Sequence, residues 1–295
     1  FLDDGPQFSE LTDLSESHLE ALNEWIPLRS NLQGYSQGIR YVGKWQGDKD
    51  SGSRDFKDFA DNAQGISRMG VLRMDVDNLG EIFIRGLNFG KKNTDGKKAS
   101  MGSLSRVATV SRQLHLFFAG YLHRILDEFS KSQIIYAGGD DVFIIGSWNE
   151  LPDVAQRIRS EFSRYCGNNP CFTLSGGIAM VGGRYPISRA AELAGQAEEQ
   201  AKHLQRGQKE KDALSFLETA IGWESFDEAA RLRDTLLNII KETNNQAIIN
   251  RLRQVVIAVD EIKTKGKSGK FQEMIYWDKW RWRLVYNLKR MQKRY

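Results

Sequence analysis

The sequence predicts an α+β fold in which a ferredoxin-like βαββαβ unit is followed by an all-α helical domain. Three observations lead to this prediction. Between residues 71 and 181, apolar runs of strand length alternate with amphipathic runs of helix length. Two of the strand-like runs flank the short acidic turn Gly138-Gly139-Asp140-Asp141, which is typical of a β-hairpin. After Gly222 the apolar residues recur only at helical spacing.

The elements of the βαββαβ unit follow one another in order. They are a strand over residues 71–77, a helix over 104–129, hairpin strands over 134–136 and 142–145, a helix over 152–165 and a strand over 171–181. An alanine-rich helix (187–204) and a short strand (213–217) follow, and then three helices over 226–241, 245–264 and 271–293. In this arrangement the first strand lies in the middle of the sheet, beside the hairpin.

The domain organisation follows from these elements. Residues 1–45 are mixed in composition, have helical spacing over residues 17–25 and are interpreted as the tail of a preceding domain or as a linker. Residues 46–220 form the sheet domain, and residues 221–295 form the C-terminal helical domain. Because the chain begins at Phe1, we expect it to be a fragment or an incomplete subunit.

Composition excludes several classes of protein. The chain has 295 residues, 40% of them hydrophobic, and lacks the run of roughly 20 apolar residues that a membrane-spanning helix needs. Cys166 and Cys171 are its only cysteines, which favours a reducing compartment and a cytoplasmic location. Their spacing could supply half of a zinc site, but no nearby Cys or His pair supplies the other half.

The basic residues are concentrated at the C-terminal end. From residue 221 onward there are 16 basic and 9 acidic residues, whereas the whole chain has a net charge of +4. Aromatic and basic side chains interleave over residues 276–283, a pattern that suits nucleic-acid stacking with phosphate contacts. The alternatives are a solvated basic face and an amphipathic helix that packs its tryptophans.

Asp75, Asp77, Asp140 and Asp141 form the most informative pattern. The end of the first strand and the hairpin turn should meet at one edge of the sheet, where clustered carboxylates need cations to neutralise them. Two Mg²⁺ or Mn²⁺ ions there could activate a hydroxyl and stabilise a leaving pyrophosphate. Gly138 and Gly139 would let a triphosphate approach the backbone of the turn. Taken singly, each motif is also compatible with an ordinary strand end or turn.

Three segments together carry a resemblance to a known family. They are residues 72–80 (LRMDVDNLG), residues 104–118 with Leu104-Ser105-Arg106 and Ser111-Arg112-Gln113-Leu114, and residues 136–141 (YAGGDD). In this combination and order they resemble the second palm domain of the large subunit of type III CRISPR effector complexes, nearest the Csm type. The resemblance covers about residues 35–295. It implies a palm similar to those of polymerases and GGDEF cyclases, and a C-terminal helical domain that packs beside the small subunits.

The resemblance also implies roles for individual residues. Asp75, Asp140 and Asp141 match the catalytic metal ligands, with the Val76 carbonyl as a further ligand. The implied nucleotide-binding residues are Asn78, Gly138, Gly139, Ser175, Lys202 and Lys211. Lys202 and Lys211 would meet phosphate oxygens, although either could equally be a solvated surface charge.

Two departures from the family pattern bear on function. The family often has a second serine in the helix motif, plausibly near adenine, and His115 stands at that position. The sequence also lacks a recognisable His-Asp nuclease domain and a first palm. Because the family places one nucleotide on each of two palms, another part of the subunit, a second copy or another chain should complete the site.

The function implied by the resemblance is synthesis of cyclic oligoadenylates from ATP, activated when the effector complex binds target RNA. The implied partners are the small subunit, the repeat-associated backbone subunits, crRNA and target RNA, and no membrane. One alternative is a GGDEF-like dinucleotide cyclase, which would have Glu-Phe where Asp141-Val142 stands. The other is a non-catalytic scaffold that binds RNA and subunits, for which clustered carboxylates have no physical purpose.

Overall fold

A computed structural model describes residues 18–22, 36–40, 55–84, 103–243 and 247–266. Its strands are β1 (His18–Leu22), β2 (Ser36–Arg40), β3 (Met69–Val76), β4 (Ser132–Ala137), β5 (Asp141–Ser147), β6 (Leu174–Val181), β7 (Gln205–Arg206), β8 (Lys209–Glu210), β9 (Ala213–Phe216) and β10 (Thr219–Gly222). Its helices are α1 (Phe56–Asp61), α2 (Leu79–Ile84), α3 (Leu104–His115), a π-helical turn (Leu116–Tyr121), α4 (Leu122–Leu126), α5 (Leu151–Tyr165), α6 (Ile187–Lys202), α7 (Trp223–Thr243) and α8 (Ala247–Gly266).

The main sheet has six strands in the order β10-β9-β6-β3-β5-β4. The four strands β6, β3, β5 and β4 pair antiparallel, with β3 between β5 and β6. Their sequence order and the helices between them give the ferredoxin-like βαββαβ arrangement, so the predicted α+β fold class is confirmed. β9 extends the sheet by pairing parallel to β6, and β10 pairs antiparallel to β9.

Helices cover both faces of the sheet, and alternate residues of β3 point to the two faces. Leu72, Met74 and Val76 belong to a buried cluster with residues of the π-helical turn, α4 and α5. Met69 and Val71 belong to a second cluster, with residues of α1 and α6. Asp75 lies an even number of residues from Met69 and Val71 along β3, so its side chain points to the same face of the sheet. That face is the one that α6 covers.

Two helices expected from the sequence differ in the structure. Residues 18–22 form a strand that pairs parallel with β2, where residues 17–25 were predicted to be helical. A run this short forms its backbone hydrogen bonds with a strand elsewhere in the sequence. The apolar spacing within the run does not reveal that partner. The helix predicted over residues 104–129 ends at Leu126 and contains the π-helical turn, where four consecutive residues are buried: Phe117, Phe118, Ala119 and Gly120.

The chain divides into two compact units, residues 1–226 and 227–295. In the second unit the described residues are helical, in the C-terminal part of α7 and in α8. The helix predicted over residues 271–293 and the aromatic and basic run at 276–283 lie outside the described residues. The predicted domain limits at residues 45 and 220 therefore stay predictions. Across the described ranges, no helix has the length and apolarity required to cross a membrane.

Candidate active site at the end of strand β3

The end of β3 and the turn between β4 and β5 meet at one edge of the sheet. Asp75 and Asp141 are direct cross-strand partners, so their side chains lie on the same face. The Val76 N–H donates to the Asp140 carbonyl oxygen at 3.1 Å, and the Gly138 N–H closes the turn by donating to the Asp141 carbonyl oxygen at 2.8 Å. The structure thus brings the backbones of Asp75, Asp140 and Asp141 together.

The carboxylates at this edge repel one another. Burial raises the pKa of Asp140 above its ordinary value, and the negative charges of Asp75 and Asp141 raise it further. The positive charge of Lys202 opposes this effect without cancelling it. The edge therefore favours the binding of a cation, because a cation would relieve the repulsion.

Lys202, the last residue of α6, lies against these carboxylates. Its ammonium donates to Asp75 Oδ2 at 2.6 Å and forms a second ion pair with Glu198 Oε1, also at 2.6 Å. Burial by itself would lower the pKa of Lys202, but the hydrogen bonds to Asp75 and Glu198 outweigh burial and raise it. Lys202 is therefore charged and already directed at the acidic edge.

The two glycines of the turn have different surroundings. A Cβ placed on Gly138 would lie 2.1 Å from the Tyr136 hydroxyl and 2.7 Å from Asp141 Oδ1, so this glycine makes room for protein groups. A Cβ on Gly139 would meet nothing within 4 Å, and Gly139 is exposed. Of the two, Gly139 is the one with open space for a phosphate.

Tyr136 was not singled out from the sequence. Its hydroxyl hydrogen-bonds to the Asp141 side chain, and the negative charge of Asp141, with burial, raises the pKa of the phenol. The pairing of β4 with β5 shifts register between Ile134 and Tyr136, so a β-bulge directs this side chain.

The other predicted nucleotide-binding residues lie around the same edge. Ser175 is the cross-strand partner of Asp75 on β6 and is fully buried, and its hydroxyl has no hydrogen-bond partner among the described residues. The Lys211 ammonium donates to the Asn78 side-chain oxygen, and both residues have left-handed backbone conformations, with φ of +58° and +56°. Lys211 thus contacts Asn78, whereas Lys202 contacts a carboxylate.

Asp77 stands apart from the acidic edge. Its side chain is only 1% exposed, accepts a hydrogen bond from Thr173 Oγ1 at 2.8 Å and accepts another from the Asp212 N–H at 3.1 Å. These contacts fasten the segment before β9 to the end of β3. These contacts, both made by Oδ2, indicate a structural role for Asp77, whereas its Oδ1 has no hydrogen-bond partner among the described residues.

A cavity of about 930 Å³ adjoins this end of the sheet. Its lining comes from α2, α3, α5, β8, the start of α7 and the segments that precede α2, β6 and β9. It includes Asn78, Val110, Arg159, Phe162, Thr173 and Asp212. Among the predicted site residues, only Asn78 lines it. The cavity therefore borders the acidic edge without containing the carboxylates of that edge.

His115, at the end of α3, is exposed.

The donor set at the acidic edge suits a hard divalent cation. Carboxylate oxygens are the ligands that Mg²⁺ and Mn²⁺ prefer. Burial, together with the negative charges of Asp75 and Asp141, raises the pKa of Asp140. As placed, the described residues contain no group of three Asp, Glu, His or Cys side chains that could hold a metal ion. Instead, the Lys202 ammonium supplies the positive charge at Asp75.

A comparison with known families decides what this domain is. Residues 68–215, half of the chain, match the sequence profile of the second palm domain of Cas10/Cmr2. The chain belongs to the Cas10 family. The resemblance on which the sequence analysis relied is thereby confirmed.

Curated relatives of this Cas10 chain come from several organisms. The chain is 33% identical over 228 residues to a protein of Enterococcus italicus, and the alignment covers 73% of the chain and 28% of the relative. It is 35% identical over 196 residues to a protein of Mycobacterium tuberculosis, and this alignment covers 62% of the chain and 23% of the relative. Both relatives are named single-strand-specific deoxyribonuclease Cas10/Csm1 of the subtype III-A CRISPR system. The chain spans less than a third of their length.

Solved structures of Csm1–Csm4 assemblies have the same fold. A Csm1–Csm4 cassette in complex with one ATP aligns with a TM-score of 0.57 and 25% identity, over 72% of this chain and 31% of that one. A cassette in complex with cA3 aligns with a TM-score of 0.58 and 25% identity over the same shares. An apo cassette aligns with a TM-score of 0.64 over 89% of this chain and 38% of that one, at 21% identity.

Sequence reasoning missed two residues of the Cas10 palm that contact the predicted site and a third that contacts one of those two. Tyr136 bonds to Asp141, Glu198 bonds to Lys202, and Arg73 lies 3.4 Å from Glu198. A signal existed for Glu198, which precedes Lys202 by four residues on a helix and so faces it. For Arg73 the contact depends on the packing of α6 on the sheet, which spacing along the chain does not show.

Proposed function

We propose that this Cas10 palm is one half of a nucleotidyltransferase that makes cyclic oligoadenylates from ATP within a type III CRISPR effector complex, activated by target RNA. The observation that carries the proposal is the acidic edge. There Asp75 and Asp141 are cross-strand neighbours, Asp140 has a raised pKa, and the Lys202 ammonium is directed at Asp75.

The solved relatives support the choice of adenine nucleotides. Csm1–Csm4 cassettes were solved in complex with ATP, AMPPNP, cA3 and cA4, and the proteins in the ATP, AMPPNP and cA3 complexes are 25–26% identical to this chain. Those ligands were bound by those proteins, and we extend the ligand class to this chain because it has the same fold and belongs to the same family.

The reaction that fits is transfer of a nucleotidyl group. A ribose hydroxyl oxygen of one ATP forms a bond to the α-phosphorus of another. The bond between that phosphorus and the oxygen bridging to the β-phosphate breaks, pyrophosphate leaves, and the hydroxyl proton passes to solvent. No covalent enzyme intermediate is needed, so positioning and charge neutralisation supply most of the acceleration.

The chain's own groups divide this work. Asp75, Asp140, Asp141 and the Val76 carbonyl would hold two Mg²⁺ or Mn²⁺ ions, which would lower the pKa of the hydroxyl and stabilise the leaving pyrophosphate. Lys202 would donate to a phosphate oxygen, and Gly139 would leave room for the phosphates. Asn78, with Lys211 bonded to it, would orient the rest of the nucleotide. The Ser175 hydroxyl, beside Asp75 on β6 and without a hydrogen-bond partner among the described residues, is the remaining predicted nucleotide-binding group.

The proposed partners follow from the family and its solved assemblies. We expect the chain to act with a Csm4-type subunit, the repeat-associated backbone and small subunits, crRNA and target RNA. A second palm, from the same subunit, another copy or another chain, would hold the second ATP.

The test is an assay of the assembled complex with ATP, Mg²⁺ and target RNA, in which products are identified by mass. We expect the double substitution Asp140→Ala with Asp141→Ala to lower product by about 100-fold or more, because it removes the charges that hold the cations. Asp61→Ala is the matched control, since Asp61 is an exposed carboxylate on α1. Unchanged oligoadenylate output in the double variant would refute the proposal.

The same assay separates the alternatives. A non-catalytic scaffold would bind RNA and subunits and leave ATP unchanged. A GGDEF-like enzyme would convert GTP to a dinucleotide and discriminate against ATP. Because the curated relatives are named deoxyribonucleases, single-stranded DNA is included as a further substrate, and DNA cleavage that survives the double substitution would belong to another site.

A further inference from the structure

Glu198 is a buried carboxylate to which the proposed reaction gives no role. It lies on α6, one helical turn before Lys202, and is 5% exposed. Its Oε1 is 2.6 Å from the Lys202 Nζ, and its Oε2 is 3.4 Å from the Arg73 Nε. A carboxylate is costly to bury, even when it is paired with cations, so its presence here requires an explanation.

Packing alone does not explain this carboxylate. The other buried positions of α6 are Ala190, Ala194 and Ala201, so the helix approaches the sheet through small apolar side chains. It comes so close that a Cβ on Gly177 would lie 2.1 Å from the Glu198 backbone nitrogen. A small apolar residue at position 198 would suit this contact without the cost of burying a charge.

The contacts of Glu198 lead to the acidic edge. Charges alternate from Arg73 through Glu198 and Lys202 to Asp75. An ammonium has three N–H donors, so Lys202 can hold Glu198 and Asp75 and still donate to a phosphate oxygen. Once a cation takes the Asp75 oxygen, Glu198 is the contact that keeps the ammonium in place.

We propose that Glu198 is a positioning residue that anchors the Lys202 ammonium beside the acidic edge, so that Lys202 can yield Asp75 to a divalent cation and remain available to the triphosphate. The proposal rests on the proposed function of the site. Without the Glu198 carboxylate, Lys202 would pair with Asp75 alone. The ammonium would then compete with the divalent cation for the same Asp75 oxygen.

The variant that tests this is Glu198→Gln, which keeps the shape of the side chain and removes its charge. We expect the dissociation constant for Mn²⁺, measured by the electron paramagnetic resonance of free Mn²⁺, to rise about 5- to 10-fold. The KM for ATP should rise by a similar factor, with a smaller change in kcat, because the anchor acts through nucleotide and cation binding. The full chain in its assembled complex is used throughout.

Two controls separate anchoring from a general effect on folding. Arg73→Gln removes the other cation beside Glu198 and leaves the Lys202 contact, so it should change Mn²⁺ affinity by less than 2-fold. In a Lys202→Met background, adding Glu198→Gln should change neither Mn²⁺ nor ATP affinity, because the residue to be anchored is gone. Thermal unfolding checks that each variant is folded.

Several results would overturn the proposal. They are parental Mn²⁺ affinity in Glu198→Gln, an equal loss in Arg73→Gln, or an undiminished effect in the Lys202→Met background. If Glu198→Gln fails to fold, Glu198→Asp keeps the charge and shortens the reach, and a folded Asp variant with parental Mn²⁺ affinity would also overturn it. The binding measurements do not depend on product formation, so they remain decisive if the proposed function itself fails.

Discussion

Asp140 is a residue whose charge opposes folding and serves the proposed site. Burial and two neighbouring carboxylates raise its pKa, so the folded chain binds a proton at this group more tightly than the unfolded chain does. The contribution of Asp140 to stability therefore falls as pH rises above the ordinary value of 3.8, and this loss is complete once pH is well above the raised pKa. Natural sequences tolerate such strain at functional sites.

We predict that Asp140→Asn stabilises the chain at pH 7 in the absence of divalent cations. The amide has no charge to be repelled by Asp75 and Asp141, so Tm should rise by about 1–3 °C. The difference should disappear below pH 3.8, where the parent carboxyl is protonated in both states. Thermal unfolding as a function of pH measures this.

Asp61→Asn, on the exposed surface of α1, is the control and should give no pH-dependent gain. Added Mn²⁺ should raise the Tm of the parent and have less effect on Asp140→Asn. A lower Tm for Asp140→Asn than for the parent at pH 7 would contradict the electrostatic account.

For individual residues, the sequence was informative where the candidate side chains belong to a local motif. The acids at 75, 140 and 141 could be placed together because a strand end and a hairpin turn meet at one edge of such a sheet. Glu198 and Tyr136 were not predicted, since their contacts depend on helix packing and on a β-bulge. The structural role of Asp77 likewise depends on Thr173 and Asp212, which are distant in sequence.

The contact between α6 and β6 is the element-level feature that places Lys202. Gly177 of β6 lies under α6, where a Cβ would be 2.1 Å from the Glu198 nitrogen and 2.5 Å from the Ala197 carbonyl carbon. Backbone atoms cannot rotate away as a side-chain tip can. The position therefore needs glycine because of a close approach, and the end of α6 depends on it.

We predict that Gly177→Ala destabilises the fold by about 1–3 kcal/mol, because α6 must move away from the sheet. Gly80→Ala is the matched control, since a Cβ there meets nothing within 4 Å and Gly80 lies in α2. Alanine favours helix over glycine, so the control should be neutral or stabilising. Urea unfolding of the two variants measures both effects, and equal stabilities would show that α6 adapts without cost.

The elements of the βαββαβ unit and the helices α6, α7 and α8 could be predicted from the sequence, whereas β2, α1, α2, β7 and β8 were not predicted. The β9–β10 hairpin was expected only as a single strand, because its turn residues Leu217 and Glu218 adopt positive φ without the usual Asn or Gly. The long helix was expected to be uniform, because apolar spacing does not distinguish an α-helical turn from a π-helical one.

At the scale of the molecule, the acidic edge would be one half of the proposed site at which two nucleotides are joined. The described sheet carries one group of carboxylates, at the end of β3, with helices covering both faces. The central position of β3 beside the β4–β5 hairpin could be predicted from the βαββαβ pattern, whereas the pairing of β9 with β6 was not predicted. The group that would complete the site could not be predicted, because the sequence of one chain does not specify where a partner lies.

We predict that the chain by itself binds ATP with Mn²⁺ and produces no measurable oligoadenylate. A second ATP would have to meet the first from solution, and the loss of positioning corresponds to effective molarities of about 10⁵–10⁸ M. Turnover of radiolabelled ATP by the chain, with and without the assembled complex, measures this. A rate per chain that rises with chain concentration would mean that a second copy supplies the missing half. Product formed at a rate per chain that is constant on dilution would mean that one palm is sufficient, and the composite site would be wrong.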